Sequence, residues 1–296
     1  MPPAPWVNVI ANPLGGFIVS ERGSGAAWAG SSQFFRLTPW HNDPVSDPPG
    51  DVVYLRDADT GATWSATPAP LRRLEECTVR HGPGRSTFEQ TVEGIQTVLT
   101  LGVPPDRAVK LSHLRIRNDS PLPRRIEVTS YAEWVLGSLR EHTQHQVHTT
   151  FDSSRGAIVA RNFFNPNFAG WVAFAAMSEP LTGHTADRRE FLGRHGSVQD
   201  PAALGADLLG TTGGAVDPCA ALRCVIELES GAERELVIVL GASDGEEAAL
   251  RDLEEFRDVA RARAAVAAAL RAGARRSRPC APSCVRARDG GAIPRA

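Results

Sequence analysis

Between Trp28 and Arg56 the chain gathers side chains that can grip a polyhydroxylated ligand. Trp28, Phe34, Phe35 and Trp40 offer apolar faces, while Arg36, His41, Asn42, Asp43 and Asp47 offer directional hydrogen bonds. Pro39, Pro44, Pro48 and Pro49 fix φ within the same stretch and restrict the loop that presents these groups. A core strand has no need of this mixture, whereas stacking faces beside fixed polar groups suit a sugar ring.

Other candidate chemistries are less complete. His142, His145 and His148 are spaced by three, but they lead into the strand-like Thr149-Thr150-Phe151-Asp152, where that period does not align side chains, and no carboxylate or cysteine completes a metal set. Asp57 and Asp59 near Arg56, and Glu89 near His81, are acid pairs of a kind that surface turns also produce. Gly82-Pro83-Gly84 falls between strands, and the glycines of 205–214 precede no Lys-Ser/Thr, so no phosphate loop is expected. No Gly-x-Ser-x-Gly elbow occurs. Five cysteines at scattered positions form no disulfide framework, although Cys219 and Cys224 could lie near one another, and Cys280 with Cys284 lacks a second zinc ligand pair.

The positioning elements read as strands. Short segments closed by Gly, Pro, Asn or Asp recur at 15–21, 52–56, 77–81, 86–92, 95–101, 109–117, 124–136, 146–151, 156–161, 171–176, 222–229 and 234–241, the rhythm of an all-β sandwich. Over 124–136, Ile126, Val128, Ser130, Ala132 and Trp134 alternate with Arg125, Glu127, Thr129, Tyr131 and Glu133, which predicts one dry face and one wet face. The turn residues 118–123 predict a hairpin between 109–117 and 124–136. Residues 179–221 are Gly-rich, polar and aperiodic, a long excursion with function or mobility. Ser243-Asp244-Gly245-Glu246 suggests a capping box, followed by Leu250, Leu253, Phe256 and Ala260 at helical spacing to about residue 270. The expected domains are therefore a β super-sandwich over 1–242, a linker helix over 243–271 and a disordered tail over 272–296.

Composition narrows the partners. A formal net charge of -2 gives no electrostatic case for nucleic acid or an anionic membrane. No apolar run of about 18 residues and no secretory leader is visible, so a cytoplasmic chain is the default.

The same sequence resembles the N-terminal region of the glycoside phosphorylases and cyclic β-1,2-glucan synthases, the glycoside hydrolase family ninety-four or former glycosyltransferase family thirty-six group, and most of all the glucan synthases. The resemblance rests on Asn12-Pro13, Gly16-Phe17, Ser20-Glu21, Leu37-Thr38-Pro39-Trp40, Asn42-Asp43-Pro44-Val45, Tyr54-Leu55-Arg56-Asp57, Gly61 and Trp64-Ser65. It continues through Arg80-His81-Gly82, Gly84, Phe88-Glu89, Glu133-Trp134-Val135-Leu136-Gly137, Asp152, Gly156 and Ala160-Arg161-Asn162. It implies a galactose-mutarotase-like two-sheet super-sandwich followed by a linker helix. It also implies that the catalytic acid and the groups holding inorganic phosphate, the parent enzyme's co-substrate, belong to an (α/α)₆ barrel that this chain lacks.

No residue here then inherits a catalytic role, and the chain alone is expected to be inactive. What it can inherit is acceptor-side contact with a β-glucan oligosaccharide, with Trp28 and Trp40 as stacking platforms and Arg36, Asn42 and Asp43 as partners for hydroxyls. No metal or other cofactor is expected. Partners would be the missing barrel or a second subunit, and a parent synthase would be associated with the inner membrane. Ser31-Ser32-Gln33 with Phe35, and Arg85 after Gly84, depart from the family pattern and would weaken sugar contacts.

Alternatives remain open: tryptophans in the core with the polar groups capping turns, a structural interaction module, or a free-standing glycosidase or lyase on a similar sandwich. The loss of periodicity near residue 271 suggests either a frameshift or a genuine flexible tail.

Overall fold

The computed structural model describes residues 4–71 and 73–276, with side chains through 269. Three antiparallel sheets form. A small meander joins β1 (Val7–Asn12), β2 (Gly15–Ser20) and β3 (Gly25–Ala29). A five-stranded sheet runs in the order β14 (Gly183–Asp187), β15 (Pro218–Leu228), β10 (Arg124–Glu133), β4 (Asp51–Asp57) and β5 (Thr63–Ser65). An eight-stranded sheet runs β11 (Val147–Asp152), β12 (Ala157–Asn162), β13 (Trp171–Met177), β16 (Glu233–Asp244), β9 (Val109–Asn118), β8 (Ile95–Gly102), β7 (Arg85–Val92) and β6 (Cys77–Gly82).

The two large sheets close on one core. Leu99, Leu114, Ile116 and Ile238 from the larger sheet meet Leu55, Ile126, Val128 and Leu222 from the smaller, and Phe17 and Val19 of the meander seal one side. The all-β super-sandwich read from the strand rhythm is the architecture found.

The hairpin expected across 118–123 does not form. β9 pairs with β8 and β16, whereas β10 pairs with β4 and β15, so the connection crosses from one sheet to the other. Asn118 explains the arch: its buried amide donates to the carbonyls of Leu122 (2.8 Å) and Leu228 (3.0 Å), and its Oδ1 accepts from Ser120 N–H (3.0 Å). The apolar faces of β9 and β10 both enter the shared core, which places them opposite each other and not side by side.

The wet face of β10 is wet only at its start. Thr129, Tyr131 and Glu133 are buried, because the 179–221 excursion folds back over them. Beyond the short α1 (Arg140–Thr143), this excursion contributes β14 and α2 (Arg188–Leu192), whose Phe191 stacks on Tyr131 at 4.5 Å and lies near Tyr54. Arg223 anchors the following segment by donating to Ala203 O (2.5 Å) and Ala206 O (2.6 Å).

Among the described residues two helices, not one, follow the last strand. α3 (Glu246–Phe256) and α4 (Val259–Arg276) cover the outer face of the eight-stranded sheet, where Ala249, Leu253, Phe256, Ala262 and Val266 pack on Val109, Leu111, Phe174 and Val239. The capping box is absent. Gly245 occupies the N-cap without a side-chain bond, and Ser243 Oγ instead donates to Asp252 Oδ2 at 2.6 Å. Asp258 restarts the helix by accepting from Arg261 N–H at 2.9 Å. α4 continues through Arg276, past Gly273 where the sequence reads as coil; the rest of the expected tail, with Cys280 and Cys284, lies outside the described residues.

Cys219 and Cys224 are free thiols five positions apart on β15. An odd spacing sends them to opposite faces, Cys219 under α2 and Cys224 into the main core.

Candidate functional site

The segment after β3 is pinned at its start and free at its tip. Arg36 N–H donates to Gly137 O (2.9 Å), Leu37 N–H to Ala27 O (2.8 Å) and Val135 N–H to Leu37 O (3.0 Å), while Thr38 Oγ1 accepts from Ala27 N–H (2.8 Å). Phe35 is fully buried and stacks on Phe168 at 4.7 Å. From residue 41 the chain turns outward, and 41–46 are exposed.

Two left-handed residues shape that turn, Asn42 (φ 51°) and Asp47 (φ 42°), both of types that tolerate the region. Asp43 closes it. Its Oδ1 accepts from Val45 N–H at 2.9 Å, and its Oδ2 accepts from Ser46 Oγ. The Ser46 hydroxyl and the two backbone N–H groups hold the Asp43 carboxyl below the usual range. Asp47 ties the far side back to the meander, accepting from Ser20 Oγ at 2.7 Å, while Ser24 Oγ donates to its carbonyl. Burial raises the Asp47 carboxyl, against the opposing effects of Ser20 and Arg22.

This construction leaves a cavity of about 290 Å³ between the loop and the meander, with Val7, Ile18 and Ser20 on one side and Trp40, Asn42, Asp43 and Asp47 on the other. Gly25 is required in its wall, since a Cβ there would lie 1.9 Å from Ile18 O. Trp40 is half-buried, and Asn42 and His41 direct no side-chain hydrogen bond to any described residue.

Of the five expected sugar contacts, Trp40, Asn42 and Asp43 line one cavity. Trp28 and Arg36 do not line it. Trp28 sits half-buried in β3, and the Arg36 guanidinium donates to the carbonyls of Ser32 and Ser138, each at 3.0 Å. His41 and Asp47, polar neighbours in the same loop, complete the lining instead.

A second polar cluster lies under α2. Glu133 is bridged by Arg140 (3.3 Å) and Arg188 (2.9 Å), both of which also pair with Asp217, and Tyr131 donates to Glu133 at 2.9 Å. These carboxylates have guanidinium partners on both sides, so neither is free to protonate a leaving oxygen. Elsewhere, Asp57 accepts from Arg124 and from the turn 57–60, and Glu89 pairs with exposed Arg80. His142, His145 and His148 are exposed, and among the described residues no three metal-ligating side chains converge. Among the described residues no helix is long and apolar enough to cross a membrane.

The sequence matches the model of the glycosyl hydrolase 94 supersandwich domain over residues 1–259. The chain belongs to this family. The chain is 39% identical over 258 residues to the cyclic β-(1,2)-glucan synthase NdvB of Rhizobium meliloti, covering 86% of this chain and 9% of the synthase. It is 27% identical over 275 residues to the N,N'-diacetylchitobiose phosphorylase of Vibrio proteolyticus, covering 90% of this chain and 34% of the phosphorylase. The chain thus spans about a third or less of these relatives. In fold it is similar to a bacterial glucoamylase complexed with acarbose, with a TM-score of 0.54 at 7% identity, covering 92% of this chain and 39% of the glucoamylase.

Proposed function

We propose that this supersandwich is the carbohydrate-binding domain of a cyclic β-1,2-glucan synthase or of an inverting β-glucan or cellobiose-type phosphorylase. It holds acceptor-side sugar in the Trp40 cavity and docks against a catalytic (α/α)₆ barrel or a second subunit, which supplies the acid and binds the inorganic phosphate of a phosphorylase. The observation that carries the reading is the convergence of Trp40, Asn42 and Asp43 on one cavity. Similarity to the glucan synthase supports β-1,2-glucan as the ligand. The exposed rings of Phe34, Phe163 and Phe164, in segments joined by the Asn165 bond to Phe34 O (3.2 Å), support the docking role. A cytoplasmic location belongs to the same proposal.

The test is calorimetric titration of the 296-residue chain with a linear β-1,2-linked glucotetraose. Trp40→Ala should weaken binding about tenfold, the equivalent of one lost stacking contact, while lowering the melting temperature by only a few degrees. Unchanged affinity with a large loss of melting temperature would return Trp40 to the role of a packing residue.

A further inference from the structure

A second cavity opens on the flank where the edge strands of the two large sheets, β11 and β14, approach each other. Its volume is about 480 Å³, and it shares no lining residue with the Trp40 cavity. Phe151 and His184 line it as a stacked pair, 3.5 Å between centroids and 11° between planes, each half-buried. Burial lowers the His184 imidazole below its ordinary range against the pull of Glu190, so the ring is neutral near pH 7 and offers one donor and one acceptor.

The charged groups around this cavity are unevenly matched. Arg155 is neutralised by Asp152 (3.0 Å) and Glu254 (2.8 Å). Arg257 spends Nε on Met177 O (2.9 Å) and Nη1 on Arg155 O, both neutral acceptors, and meets no carboxylate among the described residues. Glu179 lines the same space and likewise meets no cation among the described residues. An anionic ligand would face Glu179 and a cationic one Arg257. A neutral polyol suits both, because each hydroxyl can donate to a carboxylate and accept from a guanidinium.

We infer that this flank cavity is a second saccharide site, taking a neutral oligosaccharide against the Phe151–His184 pair and between Glu179 and Arg257. The choice of a β-glucan as probe rests on the function proposed above.

The experiment is calorimetry of the full chain with linear β-1,2-linked glucotetraose, run beside an acidic tetrasaccharide of glucuronate units. Two sites per chain are expected for the neutral sugar. Glu179→Gln should weaken one about tenfold, the effect of losing one hydrogen bond to a charged group. Ser153→Trp, in the exposed turn at the cavity rim, should block the same site. Thermal melts should be unchanged in both variants. Loss of binding on Glu179→Gln with none on Trp40→Ala would defeat the Trp40 reading and leave this one standing. A single site lost on Trp40→Ala but indifferent to Glu179→Gln and Ser153→Trp would overturn the second site alone. Equal affinity for the acidic sugar would overturn the assigned ligand class.

Discussion

Replacing Asp51 by alanine strands the only lysine of the chain in the sandwich. Lys110 projects from β9 of the eight-stranded sheet, and its Nζ reaches Asp51 on β4 of the five-stranded sheet at 2.6 and 2.8 Å. The lysine side chain is 7% exposed and the aspartate 19%, and Nζ stands 4.9 Å from the centroid of the Phe17 ring. Removing one partner of a buried pair costs about 3–5 kcal/mol, because the other charge stays uncompensated. The partial exposure of Asp51 admits water, which sets the expectation at about 3 kcal/mol. For a domain of this size each kcal/mol moves the midpoint by about 2–4 °C, so Asp51→Ala should melt about 6–12 °C below the wild type by calorimetry. The double variant Asp51→Leu with Lys110→Met removes both charges of this pair and should fall within about 1 kcal/mol of the wild type. A second readout uses the lone lysine. Amine-reactive esters should modify the native chain only at its terminus and reach Lys110 when the sheets part, faster in Asp51→Ala. A variant melting within about 2 °C of the wild type, with Lys110 still protected, would refute the claim that this pair clamps the sheets.

Three further outcomes follow from the geometry. Arg223→Met should free the 203–206 segment from its clamp, so limited proteolysis should cut between 203 and 214 while the rest of the domain stays intact; resistance equal to the wild type would dismiss the clamp. Burial raises the Asp57 carboxyl, but the N–H groups of Thr60 and Asp59 and the Arg124 guanidinium outweigh it and hold it below the ordinary range. Its contribution is complete above the unfolded value near pH 4 and fades as pH falls through the lower folded value, so Asp57→Asn should flatten the loss of stability below about pH 4, and parallel profiles would contradict this. Burial pushes Cys77 up to about 11, Cys224 up to about 12 and Cys219 far above its usual range. None should be alkylated at pH 8 before unfolding, and native-state labelling of Cys219 found by peptide mapping would disprove its sequestration.

The strands legible in sequence are those with a clear period. β8 alternates Ile95, Thr97, Leu99 and Leu101 inward, and its bounds nearly match the segment 95–101. Four strands escape that reading. β3 is Gly-Ala-Ala-Trp-Ala, with little β propensity of its own; β5 has three residues; β14 is embedded in the Gly-rich excursion. In β1, Val7 and Val9 face outward and Asn8 and Asn12 turn toward neighbouring loops, which inverts the usual pattern. The alternation of β10 is legible, but the burial of Thr129, Tyr131 and Glu133 on the face read as wet is not, since it depends on an excursion without periodicity. Pairing also lies beyond local chemistry: a turn-rich hexapeptide serves a hairpin or an arch equally well, and Asn118 settles the matter only through a carbonyl 110 residues away.

The candidate site divides for the same reason. Asp43 holds its turn through bonds to Val45 and Ser46, all within three residues, so its local role is readable from Asp-Pro-Val-Ser. Arg36 offers the same hydrogen-bonding capacity on paper, yet its Nη1 is taken by Ser138 O, 102 residues distant, and nothing in its neighbours announces that demand. Residue type gives the capacity to bind, and tertiary contacts decide whether that capacity is already spent. What stays unspent at the Trp40 cavity is an aromatic face, the Asn42 amide and the His41 imidazole, beside the carboxylates of Asp43 and Asp47 and without a lysine or arginine among the described lining residues. Such a cavity repels anions. Under the proposed function it therefore suits a neutral glucan, and a phosphate used by the parent enzyme would have to be held by the catalytic partner.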